Sequence, residues 1–150
     1  MDGDVAVVHR TQTGRSLSLD DRVNVADWHD VDVHTDLYTI HGIKTCVRDA
    51  TRDAIVSRLS DRERVVEIGI GRQPAVARAL AAAGLDVTAT DIHERAVPDG
   101  VTFVHDDVTD PDRAVYTGAD ALYACNLPPE LQRPALSIAR EVDASFLFTT

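Results

Sequence analysis

Three acids and two glycines in this chain have the types and spacing to hold a nucleoside ligand. The segment "VVEIGIGRQPAVA", Val65 to Ala77, runs from an apolar stretch through Glu67 into Gly69-Ile70-Gly71 and on into a helical pattern. Glycines directly after a strand permit a tight turn and let backbone approach a ligand closely. The helix that follows points its free N–H groups at the same place. Asp91 ends the next strand-like stretch, "VTATDIH", 20 residues beyond Gly71. A carboxylate there can accept both hydrogen bonds of a ribose diol. In a chain this rich in aspartate, an exposed acid that merely ends a strand is the competing reading.

The nature of the ligand turns on Glu67 and Pro74. A dinucleotide fingerprint requires G-x-G-x-x-G, and Pro74 stands where its third glycine would be. Glu67 also precedes the turn, and a carboxylate suits a cation but repels a pyrophosphate. A positively charged nucleoside is therefore favoured over NAD, which stays as the weaker alternative.

An acid followed by G-x-G resembles motif I of the class I S-adenosylmethionine (AdoMet) methyltransferases. That resemblance implies that Glu67, Gly69 and Gly71 form a pocket for the methionine moiety, with Asp91 on the ribose. "VHDDV" is similar to the family's acidic motif after the third strand, which implies Asp107, or its neighbour Asp106, beside the adenine amine. Both acids could instead cap the turn into "DPDR". "CNLPPE" stands where these enzymes carry the acceptor motif. Asn126-Leu127-Pro128 resembles the N-L-P-Y of RNA adenine dimethyltransferases, which implies Asn126 as the residue near a methyl acceptor. Pro129 and Glu130 replace the aromatic of that motif, so its stacking platform is lost. A proline-rich turn opening a helix is the alternative.

Other candidate chemistry is sparse. His93 and His105 fall near strand ends. Arg72 could meet an anionic group or pair with Glu67 or Asp91. Cys125 reads as a buried, inert thiol. His29 and His34, in "DWHDVDVH", have aspartate neighbours that could bind a metal, although a solvated acidic segment accounts for them better. The sequence shows no zinc spacing, P-loop or Ser-His-Asp order.

The elements that must position these residues follow from periodicity. Ile43, Val47, Ala50, Ala54, Ile55 and Leu59 recur at helical spacing. "RVVEIGI" is a continuous apolar run, as a buried parallel strand requires. "PAVARALAAAG" is a helix between Pro74 and a glycine stop at Gly84. Strands "LDVTATDI", "VTFVHDDV", "ADALYACN" and "ASFLFTT" follow, with short connectors and one helix. That helix, in "PPELQRPALSIAREV", is expected to become regular near Pro134, because a mid-helix proline loses a hydrogen bond. Strands alternating with helices predict a Rossmann-like, doubly wound α/β fold of about five parallel strands in the order 3-2-1-4-5. The ligand crevice then lies at the carboxyl ends of strands 1 and 4.

Residues 1–36 have few apolar anchors and read as an acidic, flexible segment ahead of a domain at 37–150. The 150 residues carry 25 acidic against 15 basic side chains, a net charge of −10. Among the acids Asp far outnumbers Glu, and Lys44 is the lone lysine, a pattern similar to proteins of salt-loving archaea. This balance argues against a basic groove for nucleic acid. No apolar stretch approaches a membrane span, and two cysteines without pairing logic fit a cytoplasmic protein.

Residues 41–150 as a whole resemble the archaeal uncharacterised protein family (UPF) 0146, through "VVEIGIGRQPAVA", "VTATDI", "VTFVHDDVTDP" and "LYACNLPPELQRPAL". The resemblance implies a small methyltransferase-like Rossmann fold and assigns no reaction. Compared with a full methyltransferase, the sequence predicts no sixth or seventh strand and no insertion to cover an acceptor. Methyl transfer depends on positioning and on excluding water. An active site would thus need a protein partner or a second subunit; the alternative is a non-catalytic ligand-binding or interaction module.

Overall fold

The computed structural model describes residues 5–8 and 44–149, with side chains from residue 51 onward. In chain order the elements are β1 (Val5–Val8), α1 (Lys44–Leu59), β2 (Arg64–Ile68), α2 (Ala75–Ala82) and β3 (Asp86–Asp91). They continue with β4 (Val101–His105), α3 (Arg113–Tyr116), β5 (Ala121–Ala124), α4 (Pro129–Glu141) and β6 (Ser145–Thr149). One sheet holds all six strands in the order β1-β6-β5-β2-β3-β4. The five strands from β2 onward are parallel and reproduce the expected 3-2-1-4-5 order.

The sixth strand departs from the sequence expectation. β1 comes from within residues 1–36 and lies antiparallel on β6, with Val5 opposite Thr149 and Val8 opposite Phe146. The apolar, largely β-branched Val-Ala-Val-Val has the composition that a pleated edge favours, and it satisfies the outer ladder of β6. The expectation weighed the segment's average polarity and missed this local run. His29, His34 and the rest of the segment lie outside the described residues.

Alternation along the strands builds two cores. Val65, Val87, Ala121 and Leu147 face α1 and α2, where Ile55, Leu59, Val76 and Leu80 close over them. Val66, Leu122, Phe146 and Phe148 face the other way, against Tyr116, Ala135, Ile138 and Ala139 of α3 and α4. Each fully buried aliphatic or aromatic side chain contributes about 1.5–3 kcal/mol. With both faces covered, β2 reads as a nearly continuous apolar run, while β3 alternates in sequence and is still buried along most of its length.

Helix ends behave as their residues dictate. α2 stops at Gly84, φ +93°, whose N–H bonds the carbonyl of Ala81 while Leu85 N reaches that of Leu80. This paired closure needs a left-handed residue, and glycine supplies it without steric cost. At its other end Pro74 is the cap, and its carbonyl accepts the first helical bond, from Arg78 at 2.9 Å.

α4 corrects a second expectation. It begins at Pro129, directly after the cap Pro128, and runs through Pro134. Pro129 fits a first helical position, where the N–H is unpaired anyway. Pro134 removes the N–H that would reach the carbonyl of Glu130, yet the burial of Ala135, Ile138 and Ala139 one turn on holds the helix together. An interior proline costs about 3 kcal/mol, part of which it returns by restricting the unfolded chain. Pro134→Ala is therefore expected to raise stability by about 1–2 kcal/mol. A melting temperature at or below that of the parent would show that the ring's packing outweighs the lost bond.

Candidate functional site

A cleft of about 340 Å³ opens across the carboxyl ends of β2, β3, β4 and β5. It spans the expected switch point between β2 and β5. Ile68 and Gly69 form one wall, Asp91 and Ile92 the next, Asp107 to Thr109 the third, and Cys125 to Pro128 the fourth. Of the residues singled out in the sequence, Gly69, Asp91, Asp106, Asp107, Cys125 and Asn126 line this space. Glu67 lies behind it, Gly71 is in the turn beside it, and His93, His105 and Arg72 are outside the lining and exposed.

The glycine turn is built as its residues require. Gly69 and Gly71 have φ of +68° and +58°, values that side chains resist. Between them Ile70 is buried, and its N–H donates to the carbonyl of Thr90 at 3.0 Å. Thr90 in turn donates its hydroxyl to the carbonyl of Glu67 at 3.1 Å.

Asp91, only 7% exposed, fastens the turn. Gly71 N–H donates to its Oδ2 at 2.8 Å and His93 N–H to its Oδ1 at 2.9 Å, while Arg95 Nε lies 3.4 Å from Oδ1. Burial pulls its pKa upward, but these donors and the Arg95 charge outweigh it and hold the carboxyl below its usual range. The carboxylate expected to face a ribose is thus already holding protein. Oδ2 keeps one lone pair, and Oδ1 is shared with a guanidinium. Arg95 was not singled out in the sequence; its spacing of four from Asp91 was the available signal.

The two neighbouring acids after β4 separate cleanly. Asp106 is buried and structural: its Oδ2 accepts from Tyr116 Oη at 2.5 Å and its Oδ1 from Asp112 N–H at 2.9 Å. Burial, then the Asp106 bond, pushes the Tyr116 phenol well above its ordinary value, so it stays a donor. Asp107 is exposed and lines the cleft; Thr109 takes its Oδ1 through both N–H (2.8 Å) and hydroxyl (2.7 Å).

Asn126 sits in a left-handed conformation, φ +54°, which asparagine tolerates better than most residues. Its N–H donates to Thr149 Oγ1 and that of Leu127 to Thr149 O, both at 2.8 Å, so the end of β6 fixes the loop. Its side chain is exposed at the cleft mouth. Cys125 matches its expectation: it is half-buried, and burial, then the nearby Glu67, pushes its thiol up to about 12.

Glu67 is the anomaly. It is 0% exposed in the centre of the sheet, and its Oε2 accepts from Tyr123 Oη at 2.8 Å. Oε1 is buried with no hydrogen-bond partner. Burial pushes its pKa up to about 7, opposed by the Tyr123 bond. Tyr123 is opposite Glu67 in the β2–β5 register, a pairing that no spacing within one segment reveals.

A five-stranded parallel core in this order, with a glycine turn after its central strand and a cleft at the switch point, defines a Rossmann-like fold of the methyltransferase type. Solved structures agree on the fold. The N-terminal domain of EvdMO1, crystallised with SAH bound, aligns with a TM-score of 0.52 at 20% identity, over 62% of this chain and 44% of that one. The CcbJ methyltransferase from Streptomyces caelestis aligns with a TM-score of 0.50 at 22% identity, over 65% and 49%. This chain therefore spans less than half of either protein. Within that class the chain belongs to the Uncharacterised protein family (UPF0146), whose model matches residues 50–150. A UPF0146 protein of Halobacterium salinarum is 54% identical over 96 residues, 64% of this chain and 74% of its own length. One from Archaeoglobus fulgidus is 46% identical over 86 residues, 57% and 66% respectively. Among the described residues no helix is long and apolar enough to cross a membrane, and no cluster of three or more His, Cys, Asp or Glu side chains could hold a metal ion.

Proposed function

We propose that the cleft binds S-adenosylmethionine or a closely related nucleoside, and that the domain is a methyltransferase when a partner or second subunit covers its open side. The observation that carries the choice of ligand is Glu67: a buried acid with one oxygen unpartnered, immediately before the glycine turn. Such an oxygen favours a cationic donor and disfavours a pyrophosphate. The methionine end of the ligand would lie over Gly69 and Gly71. Its ribose would take the remaining lone pair of Asp91 Oδ2 and compete with Arg95 for Oδ1. Asp107 Oδ2 would accept from the adenine amine, and exposed Ile92 offers an apolar surface to the base. Asn126 would stand at the acceptor side. That SAH occupies a fold neighbour supports the ligand class.

The second reading, a non-catalytic ligand-binding module, is favoured by the openness of the cleft, since methyl transfer needs water excluded. Calorimetric titration in molar potassium chloride separates the readings. AdoMet and S-adenosylhomocysteine should give saturable heats, with ATP and NAD silent. Heat from NAD but not from AdoMet would overturn the ligand assignment. AdoMet binding without transfer of labelled methyl to any component of a cell extract would favour the module.

A further inference from the structure

Four buried side-chain nitrogen or oxygen atoms among the described residues lack a hydrogen-bond partner. Three are the Nε atoms of Arg62, Arg64 and Arg95, each within 3.4–3.9 Å of an aspartate carboxylate. The fourth, Glu67 Oε1, is left without any such neighbour. Among the described residues it is unsatisfied in either protonation state. As a carboxylate oxygen it lacks a donor, and as a hydroxyl it lacks an acceptor. It is tied to the cleft through two neighbours: Cys125, whose thiol feels the Glu67 charge, lines the cleft, and so does Gly69, two residues on in the chain.

The surroundings make this a single-proton site. From β5 and its exit, the titratable groups facing Glu67 are Tyr123 and Cys125. Both are held protonated, burial being the larger cause in each: the phenol titrates far above neutrality and the thiol at about 12. Among the described residues, Val65, Ala89, Ile55, Leu59, Val76 and Ala77 share this face of the sheet and are apolar. At the end of β3, Asp91 stays ionised, held by Gly71, His93 and Arg95. Among the described groups on this face, Glu67 is the one whose carboxyl burial lifts to about 7.

We infer that ligand binding in this cleft is proton-linked: Glu67 is a neutral acid when the cleft is empty, and a cationic ligand above Gly69 converts it to the carboxylate, one proton leaving for solvent. The inference rests on the ligand class proposed above. The charge that burial disfavours becomes tolerable once a positive charge shares the same low-dielectric region. With the free-state value at about 7, affinity for a cation should rise roughly 15-fold from pH 5.5 to pH 7, because each unit below that value costs about a factor of ten.

The test is calorimetry with AdoMet and with adenosine, an uncharged nucleoside, at pH 5.5, 6.0, 6.5 and 7.0, in buffers of different ionisation enthalpy. AdoMet should release close to one proton at pH 6 and bind more tightly as pH rises. Adenosine should release none and bind equally at every pH. In Glu67→Gln both the release and the pH dependence should vanish. Tyr123→Phe keeps the carboxyl but removes its donor, so the midpoint of the dependence should move upward; this covers the case in which the glutamine variant does not fold. AdoMet binding with no proton release and no pH dependence overturns the inference while leaving the ligand class standing. Wild-type proton release persisting in folded Glu67→Gln also overturns it and moves the linkage to the rim histidines. AdoMet and adenosine both failing to bind at every pH overturns the ligand class, and the linkage with it.

Discussion

Asp91→Ala is expected to cost roughly 3–4 kcal/mol of stability and to weaken nucleoside binding about 100-fold or more. Asp91 joins two functions in one side chain. Its oxygens accept from the backbone of Gly71 at 2.8 Å and of His93 at 2.9 Å, and its charge faces Arg95. A part-buried N–H deprived of its acceptor costs about 1–3 kcal/mol, and here two are stranded at once beside a guanidinium that loses its counter-charge. The glycines that let the turn form also let it move: with φ of +68° and +58°, they have wide conformational freedom once untied. The remaining backbone ties are Ile70 N–H to Thr90 O and the longer Gln73 N–H to Ile70 O. A ligand would then have to order the turn itself, and a 100-fold loss corresponds to about 2.7 kcal/mol. Thermal unfolding followed by circular dichroism in molar salt reads the first effect, and calorimetry reads the second. The pH behaviour gives an independent check. A carboxyl held below its usual range stabilises the fold above the ordinary aspartate pKa, and that contribution is lost as pH falls through the depressed native value. The alanine variant should lack this share of the acid-side loss. If the variant melts within two or so degrees of the parent and binds as well, Asp91 is neither the fastener of the turn nor a ligand contact.

The sequence made the sheet order legible because β2 spells itself as an apolar run, β3 alternates, and the strands recur between helix signals. It also made the residues of the cleft rim legible, since Gly69, Asp91 and Asn126 each lie at or just past the end of a strand. What it could not supply was register. Glu67 meets Tyr123 only because β2 and β5 align Val65 with Ala121. Asp106 and Asp107 are adjacent in the chain and both line the cleft, yet Asp106 is buried and bonded to Tyr116 while Asp107 is exposed and bonded to Thr109. Two local misreadings have local causes. Val5–Val8 was hidden by the polarity of its neighbours, and the start of α4 was placed late because Pro134 looked like a boundary. In both cases a tertiary contact, with β6 or with the α3–α4 core, outweighed the local signal.

These placements also change what the candidate site asks of a ligand. A ribose cannot claim the whole of Asp91 without displacing Arg95, so the nucleoside end should bind with a smaller gain than an unoccupied carboxylate would give. The cationic end would gain correspondingly in weight, since Glu67 Oε1 is, among the described residues, the buried carboxyl oxygen without a hydrogen-bond partner. The acid that distinguished the segment from a dinucleotide loop is thus also the strongest reason for the fold to discriminate by charge.

That acid should be visible without any ligand. In the empty protein, Glu67→Gln is expected to raise stability at pH 8 by roughly 1–3 kcal/mol and to leave it nearly unchanged at pH 5. The sign follows from burial. Glu67 titrates at about 7 in the fold against 4.5 for the ordinary side chain, so between those values the native state holds a proton that the unfolded chain has lost. Stability must then fall as pH rises through this window, by roughly 3 kcal/mol in all. Glutamine keeps the shape and still accepts from Tyr123, but cannot ionise; its buried amide, short of an acceptor, offsets part of the gain. For a chain of this size each kcal/mol is about 2–4 °C in melting temperature. Melting curves at pH 5, 6, 7 and 8 in constant molar salt should therefore converge for the two proteins in acid and diverge by several degrees in base. The general repulsion of an acidic surface cancels in this comparison, because both proteins share it. Parallel curves would mean that Glu67 is solvated or paired in solution, and its place as the buried acceptor behind the cleft would go with them. Divergence would show the fold retaining a carboxyl that destabilises it at neutral pH, a cost expected of a binding site and not of a core.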